Sequence, residues 1–293
     1  MDSHEWGNEL VDEATAGVSR RRALTWLAGA GGAAVLAACG SSGTKSTAAS
    51  TSSATASSST ASSSTASSSS ASSTSAATAT ASSSAATEAI PEETAGPYPG
   101  DGSNGPNVLT QDGVVRSDVT SSFGSMSGTA PGVPTTVELT ITDVAKAGAP
   151  YAGAAVYMWH CTRDGLYSLY SQGATNQNFL RGVQEADANG KVTFTTIFPG
   201  AYSGRWPHIH FEVYPTLAAA KNSGNKIATS QLALPEATCN TVYATTGYEQ
   251  SVRNLPNTSL AKDNVFSDGA DQETPTASGD VNGGIKLALT VPV

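Results

Sequence analysis

Hydrophobic and polar residues alternate along several short stretches of the C-terminal two thirds of the chain, as in β-strands with one buried face. These stretches are rich in Val, Ile, Thr and aromatic residues, and Gly, Pro, Asp and Asn separate them. The five predicted strands cover residues 135–142, 154–159, 191–197, 208–214 and 285–291. The pair Asn189-Gly190 suits the positive φ angles of a tight hairpin and therefore predicts a turn before the third strand.

Helical patterns are scarce in the same region. Only residues 216–222 and 256–263 show them, and both segments are short. Strands do not alternate with long helices, so a parallel sheet is not indicated. The pattern predicts a mainly β fold with few short helices, an antiparallel β-sandwich that forms a single domain over residues 89–293.

The first 39 residues have the features of an export signal. Three consecutive arginines, Arg20 to Arg22, precede a Gly- and Ala-rich apolar run over residues 23–38, as in twin-arginine signals. The four residues that end at Cys39 resemble a lipobox, whose cysteine is lipidated and becomes N-terminal after cleavage. An ordinary signal peptide with a chance cysteine is the alternative. We expect an exported protein, lipid-anchored on the outer face of the cytoplasmic membrane or otherwise secreted.

Residues 40–88 consist almost wholly of Ser, Thr and Ala. Such a segment has no large apolar side chains to bury, so it cannot offset the entropy lost on ordering. We expect a disordered tether between the signal and the folded domain.

Charge and cysteine content restrict the partners and the compartment. The net charge of −9 argues against nucleic acid, which requires a basic surface. No later stretch is apolar enough to cross a membrane, so contact with one is expected only through the N-terminal lipid. With Cys39 as the anchor, Cys161 and Cys239 remain, and an even number favours a disulfide after export. Two buried thiols are the alternative.

The residues most indicative of chemistry are His208 and His210, which alternate on one face of a predicted strand. Their Cα atoms would lie roughly 6.5 Å apart, so both imidazoles can reach one metal ion. Tyr167 and Tyr202 add phenol oxygens, which suit a hard, highly charged cation such as Fe(III). A zinc or copper enzyme built on the histidine pair is the alternative. Arg205 precedes His208 by three residues and could stabilise negative charge on a bound substrate.

With these motifs the sequence resembles the intradiol ring-cleaving dioxygenases, of the catechol and protocatechuate type, from Pro91 to the C-terminus. It looks most like their exported, single-domain branch. The segments that carry the resemblance are Gly165-Leu166-Tyr167-Ser168, Pro199-Gly200-Ala201-Tyr202 and Arg205-Trp206-Pro207-His208-Ile209-His210. Tyr167, Tyr202, His208 and His210 match the family's iron ligands, and Gln231 resembles a glutamine that lines its substrate pocket. Tyr98 matches a Gly-Pro-Tyr segment at the pocket border.

The resemblance implies a non-haem Fe(III) enzyme that cleaves catechol-type diols with O₂ to cis,cis-muconate-type products. Tyr202 would accept a substrate proton, and Arg205 would stabilise the carbanion-like substrate. The segment 40–88 stands where the cytoplasmic catechol enzymes have a helical dimerisation segment, which leaves the oligomeric state open. The connection from Tyr202 to His208 is shorter than in those enzymes, so we expect an open pocket that admits bulky catechols. A non-catalytic surface module that binds phenolics or iron is the competing interpretation.

Overall fold

The computed structural model describes residues 88–293, within which nine strands form two sheets. The strands are β1 (Pro134–Asp143), β2 (Ala149–Pro150), β3 (Ala155–Trp159), β4 (Arg181–Glu185), β5 (Lys191–Ile197), β6 (His208–Tyr214), β7 (Ala228–Ala233), β8 (Thr276–Asp280) and β9 (Gly284–Pro292). All five predicted strands are present, each within one residue of the predicted ends. The export signal with Cys39, and the tether apart from its last residue, lie outside the described residues.

The two sheets confirm the predicted β-sandwich. In the first sheet β1 pairs with β2, β5 and β9, and β9 also pairs with β8. The second sheet has the order β4-β3-β6-β7, and all of its pairs are antiparallel. One pairing departs from the antiparallel prediction, because β1 and β9 run parallel. The whole second sheet lies between these strands in sequence, so no short hairpin constrains their direction.

The central core lies between the two sheets and follows the alternation of the strands. Val137 and Leu139 of β1 share this core with Met158 of β3 and with Ile209 and Phe211 of β6. All five side chains have no solvent exposure. Burial of this kind contributes about 25 cal/mol per Å² of apolar surface and supplies most of the driving force for the fold.

The other face of the second sheet is covered as well, which explains why every residue of β6 is buried. There Tyr157 and Trp159 of β3 form a second cluster with Tyr167 and Tyr202, which come from the loops before β4 and β6. Because side chains alternate along a strand, His208, His210, Glu212 and Tyr214 point to this second face. The sheet therefore carries an apolar core on one side and a buried polar layer on the other.

The turn predicted at Asn189-Gly190 is present, with a φ of 76° at Gly190 and its N–H donating to the Asp187 carbonyl at 2.9 Å. It does not join two paired strands, however. It leads from β4 in one sheet to β5 in the other. The local signal specified the turn, whereas the choice of sheet depends on contacts made by distant residues.

The helices are short, as expected, but differ in place. The segments predicted as helical contain only 3₁₀ turns, at Ala219–Lys221, Leu255–Asn257 and Leu260–Lys262. Two α-helices were missed, α1 (Glu236–Tyr243) and α2 (Glu249–Asn254). None of the helices in residues 88–293 has the length and apolar character to cross a membrane.

Candidate metal and substrate site

The histidine pair lies on one face of β6, as the sequence predicted, and this face is buried. The Nε2 atoms of His208 and His210 are 3.1 Å apart. Nδ1 of His208 lies 2.5 Å from the backbone carbonyl of Trp206, which assigns the proton to Nδ1 and leaves the Nε2 lone pair facing its neighbours. Trp159 stacks on the His210 ring, with centroids 4.8 Å apart and planes inclined by 3°. Both imidazoles are therefore fixed in orientation by neighbouring groups.

The two tyrosines approach the same point from separate loops. The hydroxyl oxygens of Tyr167 and Tyr202 lie 3.3 Å and 3.2 Å from Nε2 of His208. Gly165 lies directly against Tyr202, because a Cβ added at this glycine would be only 2.9 Å from the Cβ of the tyrosine. Its φ of +85° is also one that residues with a side chain rarely adopt. The glycine thus lets the two ligand loops come together.

This donor set fits a metal ion of the kind that the sequence predicted. Tyr167, Tyr202, His208 and His210 are between 1% and 5% exposed. Atoms bound at about 2.1 Å to one cation are roughly 3.0–3.4 Å from each other at ordinary coordination angles, which is the spacing found around Nε2 of His208. Residues 88–293 contain no group of three or more His, Cys, Asp and Glu suited to a metal. A metal site here therefore depends on the tyrosines.

The electrostatic surroundings keep both histidines neutral, as metal ligands must be. Burial lowers the pKa of His208 well below its usual range, and the positive charge of Arg205 adds to this effect. The pKa of His210 is lowered for the same reasons, first by burial and then by the neighbouring His208 and Arg205. Two imidazoles with available lone pairs and two phenol groups are a donor set that a ferric ion favours.

Arg205 and Gln231, the two residues predicted to line a substrate pocket, both lie beside the histidine pair. Gln231 is the cross-strand partner of His210, in the register between β6 and β7. Its Oε1 accepts from Nη2 of Arg205 at 2.8 Å, and its Nε2 donates to the Thr94 carbonyl at 2.8 Å. Sequence reasoning missed Asp263, whose carboxylate accepts from Nε of Arg205 at 3.0 Å. No local motif marks that aspartate.

Tyr98 lies beside one of the four candidate ligands, and its place at a substrate-pocket border stays a prediction. Its ring is partly exposed and packs against Tyr167 and Tyr170, with centroids 5.0 Å and 5.2 Å away. The backbone carbonyl of Tyr98 accepts from Arg181, a second residue that the sequence did not single out. The fully buried Arg181 guanidinium also donates to both the carbonyl and the hydroxyl of Ser168, so it joins the Tyr98 and Tyr167 loops.

The disulfide predicted between Cys161 and Cys239 is absent, and the alternative of two buried thiols holds for this pair. Cys161 packs in the second cluster, with its sulfur 3.5 Å from the Gly200 carbonyl. Cys239 belongs to helix α1 and packs in the central core, 3.9 Å from the Leu234 carbonyl. The two side chains thus fill different clusters, and burial raises the pKa of Cys239 to about 12.

Part of the chain is similar in sequence to dioxygenases. Residues 104–216 match the family model described as "Dioxygenase". A chlorocatechol 1,2-dioxygenase of Pseudomonas sp. (strain P51) is 35% identical over 85 residues, which cover 22% of this chain and 33% of that protein. The corresponding enzyme of Rhodococcus opacus is 38% identical over 55 residues, or 19% and 21% of the two chains. The matched segments thus span about a third and a fifth of these curated relatives.

Among solved structures, an intradiol ring-cleavage dioxygenase from Tetranychus urticae has a similar fold. The TM-score is 0.53 at 24% identity, over 70% of this chain and 94% of that one. At this identity the likeness concerns the fold alone. The family match includes the positions of Tyr167, Tyr202, Arg205, His208 and His210, whereas Tyr98 and Gln231 lie outside it. The predicted resemblance to the intradiol ring-cleaving dioxygenases is confirmed, whereas the roles of the site residues and the exported branch stay predictions.

Proposed function

Because the chain resembles the intradiol ring-cleavage dioxygenases in sequence and in fold, we propose that it is a non-haem ferric dioxygenase of this type. Its substrates would be catechol-type diols. The ring bond between the two hydroxyl-bearing carbons breaks, both atoms of O₂ enter the product, and a cis,cis-muconate results. The observation that carries the proposal is the approach of two phenol oxygens and a second imidazole to Nε2 of His208, within 3.1–3.3 Å.

Iron would be held by Tyr167, Tyr202, His208 and His210. A ferric ion held there would act as a Lewis acid and would activate a bound catechol toward O₂. The other functions belong to side chains of the protein. The burial of the four ligands excludes bulk water, which strengthens every electrostatic interaction in the site.

Tyr202 is the residue proposed to take up a substrate proton. Its hydroxyl oxygen lies in the site, 3.2 Å from His208, and an ionised phenol at this position can accept a proton from a catechol hydroxyl. Its neighbour Ala201 is held by a side chain, since the backbone N–H of Ala201 donates to the Ser251 hydroxyl at 2.9 Å. The tyrosine therefore approaches from an anchored loop.

Arg205 and Gln231 are proposed to act on the substrate. Arg205 is 3% exposed, so its charge is little screened by water and can stabilise negative charge that develops on the aromatic ring. Gln231 fixes the direction of the guanidinium through the 2.8 Å hydrogen bond between them. The ring of Tyr98 offers an apolar surface at the border against which an aromatic substrate can pack.

We further propose export and lipid anchoring through Cys39, on the basis of the arginine and lipobox motifs in residues 1–39. The preference for bulky catechols is part of the same proposal and rests on the short connection between Tyr202 and His208. A rate on unsubstituted catechol that far exceeds the rate on every bulky catechol tested would contradict this preference.

The visible absorption spectrum of the full-length, iron-loaded protein tests the proposed function. We expect a red-brown tyrosinate-to-Fe(III) charge-transfer band, which shifts when catechol is added without oxygen and is followed by muconate when oxygen is admitted. Tyr167→Phe should weaken the band. Tyr248→Phe is a matched control that should leave it intact, because this buried hydroxyl donates to the Phe198 carbonyl.

The other outcomes separate the competing interpretations. A protein that remains colourless after ferric loading would contradict the iron site and favour zinc or copper. A coloured protein that binds catechol without forming muconate would favour the non-catalytic binding module.

A further inference from the structure

One carboxylate beside the site is buried, yet it does not belong to the proposed ligand set. Asp263 follows the 3₁₀ turn Leu260–Lys262, its side chain has no solvent exposure, and it lies 58 residues beyond Arg205 in sequence. We propose that Asp263 is the positioning residue that holds the Arg205 guanidinium in its working orientation. This inference rests on the proposed function and deepens it.

The contacts of Oδ2 are the first support. This single oxygen accepts from Nε of Arg205 at 3.0 Å and from the backbone N–H of Trp206 at 2.6 Å. Asp263 thus binds both the side chain of one residue and the main chain of the next. A guanidinium tied in this way cannot rotate independently of its own loop, which fixes the direction of its terminal nitrogens.

The second oxygen shows that the carboxylate is itself held in place. Oδ1 accepts from the backbone N–H groups of Val265 and Phe266, at 2.8 Å and 3.1 Å. A carboxylate with four N–H donors around it has no freedom to follow a moving arginine. Asp263 therefore connects the loop of Arg205 to the turn at residues 263–266.

Two other contacts of Arg205 connect it to residues around the histidine pair. With Nε bound by Asp263, Nη2 donates to Gln231, the cross-strand partner of His210. The ring of Phe266 lies 5.7 Å from the guanidinium carbon and 6.4 Å from the His208 ring. The turn that Asp263 organises therefore packs against both the arginine and a proposed iron ligand.

The charge of Arg205 also supports a role for Asp263. Arg205 is 3% exposed, and a cation buried to this degree requires a compensating anion. Asp263 supplies that anion at Nε of the guanidinium, 3.0 Å away. Without it, the arginine would gain from turning toward water and would leave the place where charge develops on the substrate.

The test compares Asp263→Asn with the wild type in the full-length, iron-loaded protein, using the loss of catechol, the visible spectrum and urea unfolding. We expect kcat to fall roughly 10- to 100-fold, as when a charge-stabilising donor is displaced, with a much smaller change in KM. The charge-transfer band should persist, because the iron ligands are unchanged. Asp187→Asn is the matched control, since Asp187 also accepts hydrogen bonds from two backbone N–H groups of a turn, but at an exposed site.

A double-mutant comparison separates positioning from a general structural role. If Asp263 acts through Arg205, then Asp263→Asn should add less than about a twofold loss to an Arg205→Gln protein. A full loss in that background would overturn the inference, as would an Asp263→Asn enzyme with unchanged kcat. Should Asp263→Asn fail to fold, Asp263→Glu keeps the charge and displaces it by one methylene, and the same fall in kcat with an intact band is expected.

A readout that needs neither iron nor activity separates this inference from the proposed function. In the metal-free protein, the Nε–H resonance of Arg205, identified by its loss in Arg205→Lys, should exchange slowly with solvent. It should exchange much faster in Asp263→Asn. An unchanged exchange rate would refute the proposal that Asp263 holds the Arg205 guanidinium. The wild-type protein could also show the protected resonance and yet not cleave catechol. This result would refute the proposed function but would still support the contact between Asp263 and Arg205.

Discussion

His160 should make the stability of this protein depend on pH in a way that a single substitution can isolate. It is 1% exposed, its Nδ1 lies 2.7 Å from the Cys161 carbonyl, and its Nε2 lies 2.7 Å from the Thr196 hydroxyl. Burial lowers the pKa of the imidazole from 6.5 to about 4, and the nearby charge of Arg181 also lowers it. The folded protein therefore holds this histidine neutral at a pH where the unfolded chain binds a proton.

The sign and size of the effect follow from that difference. Because the folded pKa lies below the unfolded one, the stability that His160 contributes is complete above pH 6.5 and is lost as the pH falls toward 4. Each pH unit between 6.5 and 4 lowers the free energy of unfolding by about 1.4 kcal/mol, so the total loss is about 3 kcal/mol. Between pH 6.5 and pH 5 it amounts to about 2 kcal/mol.

The assay is urea unfolding of metal-free wild type and His160→Gln at several pH values from 7.5 to 5. Glutamine keeps a donor and an acceptor but cannot titrate, so the free energy of unfolding of the wild type should fall relative to the variant by about 2 kcal/mol over this range. Thr196→Val removes the hydroxyl partner and leaves the imidazole buried, so it should lower stability while retaining the pH dependence. A difference between wild type and His160→Gln that stays constant with pH would refute the reasoning.

Two further substitutions test how the ligand loops are supported. Arg181→Lys should lower the free energy of unfolding by about 2–4 kcal/mol, because lysine has three donors for the five acceptors that Arg181 reaches. In urea titrations the exposed Arg253→Lys should change it by less than about 0.5 kcal/mol, and equal effects would contradict this account. Gly165→Ala should displace Tyr202 and weaken the charge-transfer band. Gly173→Ala, with a similar φ of +89° and open space around it, should leave the band unchanged, and equal loss in both would point to backbone strain alone.

The parts of the fold that the sequence predicted are those specified by neighbouring residues. The strand Lys191–Ile197 was found because its apolar side chains alternate with polar ones, and the structure buries the former against the other sheet. Strand β7 was missed because Thr229, Ser230 and Gln231 look like surface residues, although all three are buried. Their polarity is satisfied by partners that the local pattern does not show, such as the Thr94 carbonyl for Gln231.

The same distinction applies to the residues of the site. The four proposed iron ligands could be found because a histidine pair with a period of two and two tyrosines after glycine-containing turns are visible within short segments. Arg181 and Asp263 could not, because an isolated charged residue is usually a surface residue. Arg181 can be buried only because the segments containing residues 98–99, 157 and 168 all bring acceptors to it. Sequence motifs thus disclose the groups that would perform the chemistry, while the groups that hold them follow from which distant segments meet.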